Sequence, residues 1–373
     1  MTQARVMLVG DVMVGEREVN ALLQTATHST KTACFPLYDN IDLLVGNLEV
    51  PLTNRGYPAE KLIAWRTSPA VVPFLAQLGF NVLTLANNHM LDYDVVGLLD
   101  TIDALRGAGI VVGGAGENLE DALRPTILRL ADGTKLAILS VTCSLPPGCA
   151  AGEKRPGVAP IQITTSFTVS RRFYDSPGVA PIVKTQPVAG DVSRVTDSIR
   201  QLKQSRHIVV VYIHWGIGFT TALADYQREL IDQFVSAGVD MIAGHHPHIL
   251  QGLQVISQVP VFYSSGNCII HQSVVNPGTD RVKNLIGETW GMDPDAIVPV
   301  MVIRDGRFVG VEIIPTHVRA DGLGRRATGA EAERILDRAW QLSQSFGTKW
   351  EIKEEIGWLP LAGMASSDGV GSR

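Results

Sequence analysis

The chain has 373 residues, 45% of them hydrophobic, and a net charge of −5 with both signs interspersed. That length can bury a full core. No Lys/Arg-rich run supports nucleic-acid binding, and no apolar run of about 18 residues supports a membrane span. Four cysteines, at 34, 143, 149 and 268, form no CxxC pair. This excludes zinc-knuckle and thioredoxin-like motifs and fits free thiols in a reducing compartment.

A first core strand is predicted over Val6–Val9, with a candidate site residue, Asp11, directly after it. This leaves no room for a signal peptide, so the expectation is a cytoplasmic protein. Short β-branched runs follow at Ile41–Val45, Val82–Ala86, Ile110–Val112, Leu136–Val141, Ile208–Ile213, Val239–Ala243 and Val259–Tyr263 and read as buried strands. Helical periodicity lies between them. Val95, Leu98, Leu99, Ile102 and Leu105 share one face, with Asp94 as the expected N-cap, and Leu230, Ile231, Phe234 and Val235 share a face over Tyr226–Ala237. Leu145–Asp191 holds seven prolines and little periodicity, and reads as an insertion over the sheet ends, a lid or a substrate flap.

Val298–Arg304 and Phe308–Ile314 form a predicted hairpin across Asp305-Gly306. Thr328–Phe346 reads as a helix with Thr328 as N-cap, and Ala365–Arg373 as a mobile tail. The expected organisation is one main domain over 1–327, carrying the insertion at 145–191, and a C-terminal helix and tail over 328–373. Strands alternating with helices, plus the late hairpin, give an α/β architecture with a mixed sheet system.

Five strand-like runs end in a polar group able to hold a metal: Gly10-Asp11, Gly46-Asn47-Leu48-Glu49, Asn87-Asn88-His89, His214-Trp215-Gly216, and Gly244-His245-His246-Pro247-His248. Strand ends are where α/β sheets bind ligands. Five of the nine histidines fall in three of these motifs. Three imidazoles in four residues need polar partners or a metal. Histidine with carboxylate suits Mn, Fe, Co or Zn, while the carboxamide of Asn88 leans toward a harder ion such as Ca. Asp92, three residues after His89, either fixes the His89 ring as an acid/base group or caps the following helix. Cys268 has His271 nearby but no other support as a nucleophile, and packing is its expected role. Gly113–Gly116 lacks the spacing of a nucleotide loop.

The stretches VGDVMVGE, DLLVGNLEVPLT, LGFNVLTLANNHMLDY, VVYIHWG, AGVDMIAGHHPHILQG and VFYSSGN resemble, in order, the motifs of the CapA-like family of poly-γ-glutamate capsule biosynthesis. That family is a branch of the calcineurin-like metallophosphoesterase superfamily. The resemblance implies a four-layer αββα sandwich with mixed sheets and a divalent metal centre at the strand ends. It implies Asp11, Glu49, Asn88, His214, His246 and His248 as ligands or their immediate neighbours, with Asn47 the alternative to Glu49 and the ligand among His245, His246 and His248 left open. His89 would be the acid/base histidine, oriented by Asp92, with His245, His271 or a carboxylate as a second acid/base group.

The chain departs from the superfamily pattern in having Met13 two residues after Asp11, Ile217-Gly218-Phe219 after the HWG motif, and Cys268 after Ser-x-Gly-Asn. The family includes a lasso-peptide epimerase, and this chain is similar to that kind of member. The leading expectation is therefore Cα epimerisation of a peptide substrate. Hydrolysis of amide, γ-glutamyl or phosphoester bonds and a non-catalytic assembly role are the alternatives.

Overall fold

Two sheets bring the predicted strands face to face. A computed structural model describes residues 2–15, 40–61, 63–176, 178–270 and 292–361. The larger sheet has ten strands. From edge to edge it runs through Glu351–Lys353, Ile356–Pro360, Arg307–Val318, Asp295–Arg304, Gln3–Val12, Leu43–Leu48, Val82–Thr84 and Val111–Gly113. Asn267–Ile269 adds beside the first strand, and Gly324–Arg326 beside Arg307–Val318. The second sheet runs through Leu253–Ile256, Val259–Phe262, Met241–His245, Ile208–His214, Lys135–Thr142 and Thr126–Arg129. The second sheet has a parallel centre and antiparallel edges, whereas the larger is parallel from Gln3–Val12 to its Val111–Gly113 edge and antiparallel on the other side of Gln3–Val12 from Asp295–Arg304 outward.

Alternation along the strands sorts the side chains into three cores. Val6 and Leu8 of the first sheet meet Ile138, Val210 and Tyr212 of the second between the sheets. Met7 and Val9 point the other way, onto Leu98, Ile102 and Leu105 of the helix Asp94–Gly107. Ala137, Leu139, Val209 and Val211 pack outward on the helices Ala189–Gln204 and Asp225–Ala237 through Val195, Ile199, Leu230 and Phe234. The result is a four-layer αββα sandwich with mixed sheets. Helix Ala330–Ser343 closes the inter-sheet core with Ile335, Leu336 and Ala339.

Several predicted boundaries shift for a common reason. The strands Leu43–Leu48, Ile208–His214 and Met241–His245 run on past their apolar residues into Asn47, His214 and His245, because those polar side chains are themselves buried. Tyr93, not Asp94, takes the N-cap position of the helix Asp94–Gly107, without a side-chain cap bond; Asp94 is its first residue, at φ +55°, and its Oδ1 accepts the Val96 N–H at 2.6 Å. Thr328 does not cap. The last long helix starts at Ala330 with Gly329 in the capping position, and the Gly329 N–H donates to Glu355 Oε1 at 2.8 Å.

The segment 145–191 is more regular than its prolines suggest. Ile163–Thr168 and Ile182–Pro187 form an antiparallel hairpin, and Cys149, Ala151, Val158, Ala159 and Ile161 are buried. The tail 365–373 lies outside the described residues.

Candidate metal centre

Parallel strands of both sheets end in the same place. In the first sheet Asp11 lies in register with Asn47 on one side and Asn267 on the other. In the second, His214 lies in register with His245. Close approach of the backbones explains two glycines. A Cβ at Gly10 would stand 1.9 Å from the Gly266 carbonyl oxygen, and one at Gly244 would stand 2.3 Å from Trp215 Nε1. After Gly244-His245 the chain turns sharply, with His246 at φ +107° and His248 at φ +57°. Such conformations in residues bearing a Cβ store strain, typically about 1–3 kcal/mol each, and cluster at functional sites.

Asp11 is the hub and is fully buried. Its Oδ1 accepts from Asn47 Nδ2 at 2.9 Å and lies 3.1 Å from His245 Nδ1. Its Oδ2 accepts the His246 N–H at 3.0 Å and lies 3.3 Å from His248 Nδ1. His214 Nδ1 is 2.9 Å from His245 Nδ1, and His214 Nε2 is 2.7 Å from Asn88 Oδ1. Glu49 Oε1 lies 3.5 Å from His214 Nε2 and 3.7 Å from His248 Nε2, yet neither Glu49 oxygen accepts a hydrogen bond. His245 Nε2 and His246 Nδ1 are likewise buried without a partner.

These orphaned atoms test whether a cation fits. Isolating a buried ionised carboxylate costs several kcal/mol or more, so the group neutralises or finds a positive partner. Burial, followed by the Asp11 charge, pushes Glu49 well above the usual carboxylate range. Asp11 goes the other way. Burial would raise it, but hydrogen bonds from His245 and His248 and their charge hold it well below its ordinary value.

Burial and the neighbouring imidazoles depress His214, and His246 falls to about 3, so both are neutral and competent as ligands. Burial also works against a charge on His248, but Glu49 and Asp11 outweigh it and raise this histidine to about 9. The His248 proton thus offsets the carboxylates in the place where a dication would do so. Asp11, His214 and His245 offer atoms all within 4.8 Å of one another, as do Glu49, His246 and His248. The donor set of imidazole, carboxylate and carboxamide suits a divalent ion.

His89 stands beside this cluster. Its Nδ1 is 2.7 Å from Asp92 Oδ2, and the same oxygen accepts the Trp65 N–H at 2.7 Å. Asp92 therefore fixes the His89 ring, and it is not the N-cap of the following helix, whose capping position is Tyr93. Lys61 forms an ion pair with Asp92, donates to the Asn88 carbonyl at 2.9 Å, and lies 3.3 Å from His89 Nδ1. Burial first, and the Lys61 and His248 charges after it, outweigh Asp92 and bring His89 below the ordinary imidazole value.

The predicted residues Asp11, Glu49, Asn88, His214, His246 and His248 are thus brought together. His245 joins them on the floor of the cluster. His271 lies outside the described residues. Cys268 is buried, and burial pushes its thiol well up, as packing requires. Trp215 is fully buried and stacks on Tyr263, so it belongs to the core.

Three contributors escaped the sequence reading of roles. Lys61 sits in an irregular loop with no motif. Asn87 buttresses the site through bonds to Asn47 Oδ1 and the Leu48 carbonyl. Asn267 Oδ1 lies 2.9 Å from His248 Nδ1, and its only sequence signal was its place in the Ser-Ser-Gly-Asn stretch.

Fold and site together define an α/β sandwich of metallophosphoesterase type with a candidate metal centre. The family described as "Bacterial capsule synthesis protein PGA_cap" matches residues 5–272, and the chain belongs to it. The chain is similar to "Capsule biosynthesis protein CapA" of Bacillus anthracis, at 28% identity over 93% of this chain and 75% of that protein. It is also similar to "PGA biosynthesis protein CapA" of Bacillus subtilis, at 27% over 90% and 79%. A third relative, at 26% over 88% and 80%, is a "Probable polyglutamine synthesis accessory protein" of Mycobacterium tuberculosis. Among the described residues no helix is long and apolar enough to cross a membrane.

Proposed function

We propose that this chain is a metal-dependent enzyme that moves a proton on a peptide substrate, with exchange at Cα, and hence epimerisation, as the leading reaction. The observation that carries this reading is the His89–Asp92 pair, beside the ligand cluster but not part of it. Asp11, Glu49, Asn88, His214, His246 and His248 would hold the ion, with His245 packed against Asp11. When bound, a divalent ion supplies Lewis acidity toward a substrate carbonyl oxygen.

The protein groups do the rest. His89 Nδ1–H donates to Asp92, which leaves the lone pair on Nε2 as the base. Lys61 balances the Asp92 charge, so the pair holds the ring without charging it. His89 Nε2 takes the Cα proton. A proton delivered to the opposite face from solvent water inverts the centre, and His89 returns its proton to solvent, so there is no net change in protons. Met13, where the superfamily's first motif has a histidine two residues after its carboxylate, packs with Ile270 and Val318, which argues against ordinary two-ion phosphoester hydrolysis.

A second reading is hydrolysis of an amide or γ-glutamyl bond, with His89 protonating the leaving amine. The capsule and polyglutamine names of the relatives favour it. One experiment separates the readings: metal-loaded protein incubated with peptides in deuterated water and analysed by mass spectrometry. A gain of one mass unit without cleavage, absent in His89→Ala, is the expected result. New termini would move the reaction to hydrolysis. Phosphate released from an aryl phosphate would move it to phosphoesters. An unchanged peptide with metal bound would contradict peptide chemistry.

A further inference from the structure

We propose that the hairpin of residues 163–187 is a docking edge for an extended, acidic peptide segment, which adds to it as a further strand. The inference does not rest on which reaction the metal centre performs.

Half-buried strands normally protect an open edge with charge, proline or a bulge, because unpaired N–H and C=O groups recruit other strands. The strand Ile163–Thr168, of sequence ITTSFT, has none of these. It is β-prone and uncharged, exposed from Thr164 onward, and among the described residues its only strand partner is Ile182–Pro187. The other strand leans on the helix Asp225–Ala237, where the Tyr226 N–H donates to Thr185 Oγ1 at 3.4 Å. The Ile163–Thr168 edge therefore faces outward.

The surface around that edge is apolar as well as open. Phe167 lies opposite Val183, and Ile182 opposite Thr168. Phe167 is 68% exposed, Val183 52% and Tyr174 84%, and Val169, Phe173 and Ile182 are also exposed. An apolar patch of this kind on a surface marks an interaction site. Main-chain bonds from an added strand would satisfy the edge, and alternate side chains would rest on the patch.

Charge selects the occupant. The chain carries −5 overall, but its 163–187 segment holds Arg171, Arg172 and Lys184 against the single acid Asp175. All three cations are exposed, and none makes an ion pair with a described residue. An acidic segment complements them.

The path from hairpin to site is short. Pro160 bridges Thr142, the residue in register with His214, and the hairpin begins at Ile163. Tyr226, which touches Thr185, also accepts the Gly216 N–H at 2.6 Å through its hydroxyl, just after His214-Trp215.

The test uses the full chain and a fluorescein-labelled (Glu-Val)6 peptide, with (Lys-Val)6 as the charge control. The expected results are saturable binding of the acidic probe alone and at least about tenfold slower amide exchange over 164–168 when it is bound. Binding should weaken at least about tenfold in Phe167→Ala/Val183→Ala and in Arg171→Glu/Arg172→Glu. All four positions are exposed, so circular dichroism and metal content should match wild type. Equal binding of the basic probe, binding insensitive to both double variants, or unchanged exchange over 164–168 would overturn the proposal. So would a dimer that the Phe167/Val183 variant dissociates, since a second copy would then be the occupant.

Discussion

Replacing His89 by alanine removes a half-buried base whose ring is fixed on one side by Asp92. Turnover should fall by about 10²–10⁴-fold, the usual contribution of a positioned acid/base group, while metal content stays unchanged. Steady-state rates and elemental analysis of the same sample check both halves; full activity would remove His89 from the chemistry.

His248 makes a second prediction. Its proton is held up to about 9 by Glu49 and Asp11, and a metal ligand must be unprotonated. Below that pH, metal binding must displace the proton, so apparent affinity should rise with pH and level off near 9. Calorimetry in buffers of different ionisation enthalpy would read the released proton; uptake, or none, would contradict the assignment.

Residues at this scale were legible where a polar group follows an apolar run, as at Asp11, His214 and His245–His248. Lys61 was not, because only the folded loop places its ammonium on Asp92.

The helix Ala330–Ser343 is a structural element of the inter-sheet core, and Leu336 is its buried contact at 1% exposure. Leu336→Ala should destabilise the protein by about 2–5 kcal/mol through lost burial and the cavity left behind. Denaturant melts with an unchanged slope would show this, and a loss below about 1 kcal/mol would mean that the helix is not part of the cooperative core.

Elements were readable from sequence where apolar periodicity was strong. The strand runs at 136–141 and 208–213, the hairpin at Asp305-Gly306 and the helix over 226–237 all appear in the structure. The hairpin Glu351–Lys353/Ile356–Pro360 was missed for a specific reason. Its turn is Glu354-Glu355, both at positive φ, with none of the glycine or asparagine that signals such a turn. The turn Ser257-Gln258 hides the strand Leu253–Ile256 in the same way. In the insertion, the threonine-rich strand Ile163–Thr168 and its partner Ile182–Pro187, exposed on most positions, lack an apolar alternation to read.

At the scale of the whole molecule, the sandwich converts sequence order into proximity. Asp11 and Glu49 come from the first sheet, His214 and His245–His248 from the second, and the facing cores set the separation between them. Strand ends carrying ligands were visible in the sequence. Which imidazole meets which carboxylate was not, because that depends on register between sheets and on the positive-φ turn at His246 and His248.

The most direct measurement is the divalent metal content of the purified protein, by elemental analysis after dialysis against manganese, zinc and calcium in turn, with Asp11→Asn and His248→Ala alongside. At least one ion per wild-type chain, lost or sharply reduced in both variants, is the expected result. A wild-type chain that retains no ion, or variants that retain as much as wild type, would contradict a metal centre built on Asp11.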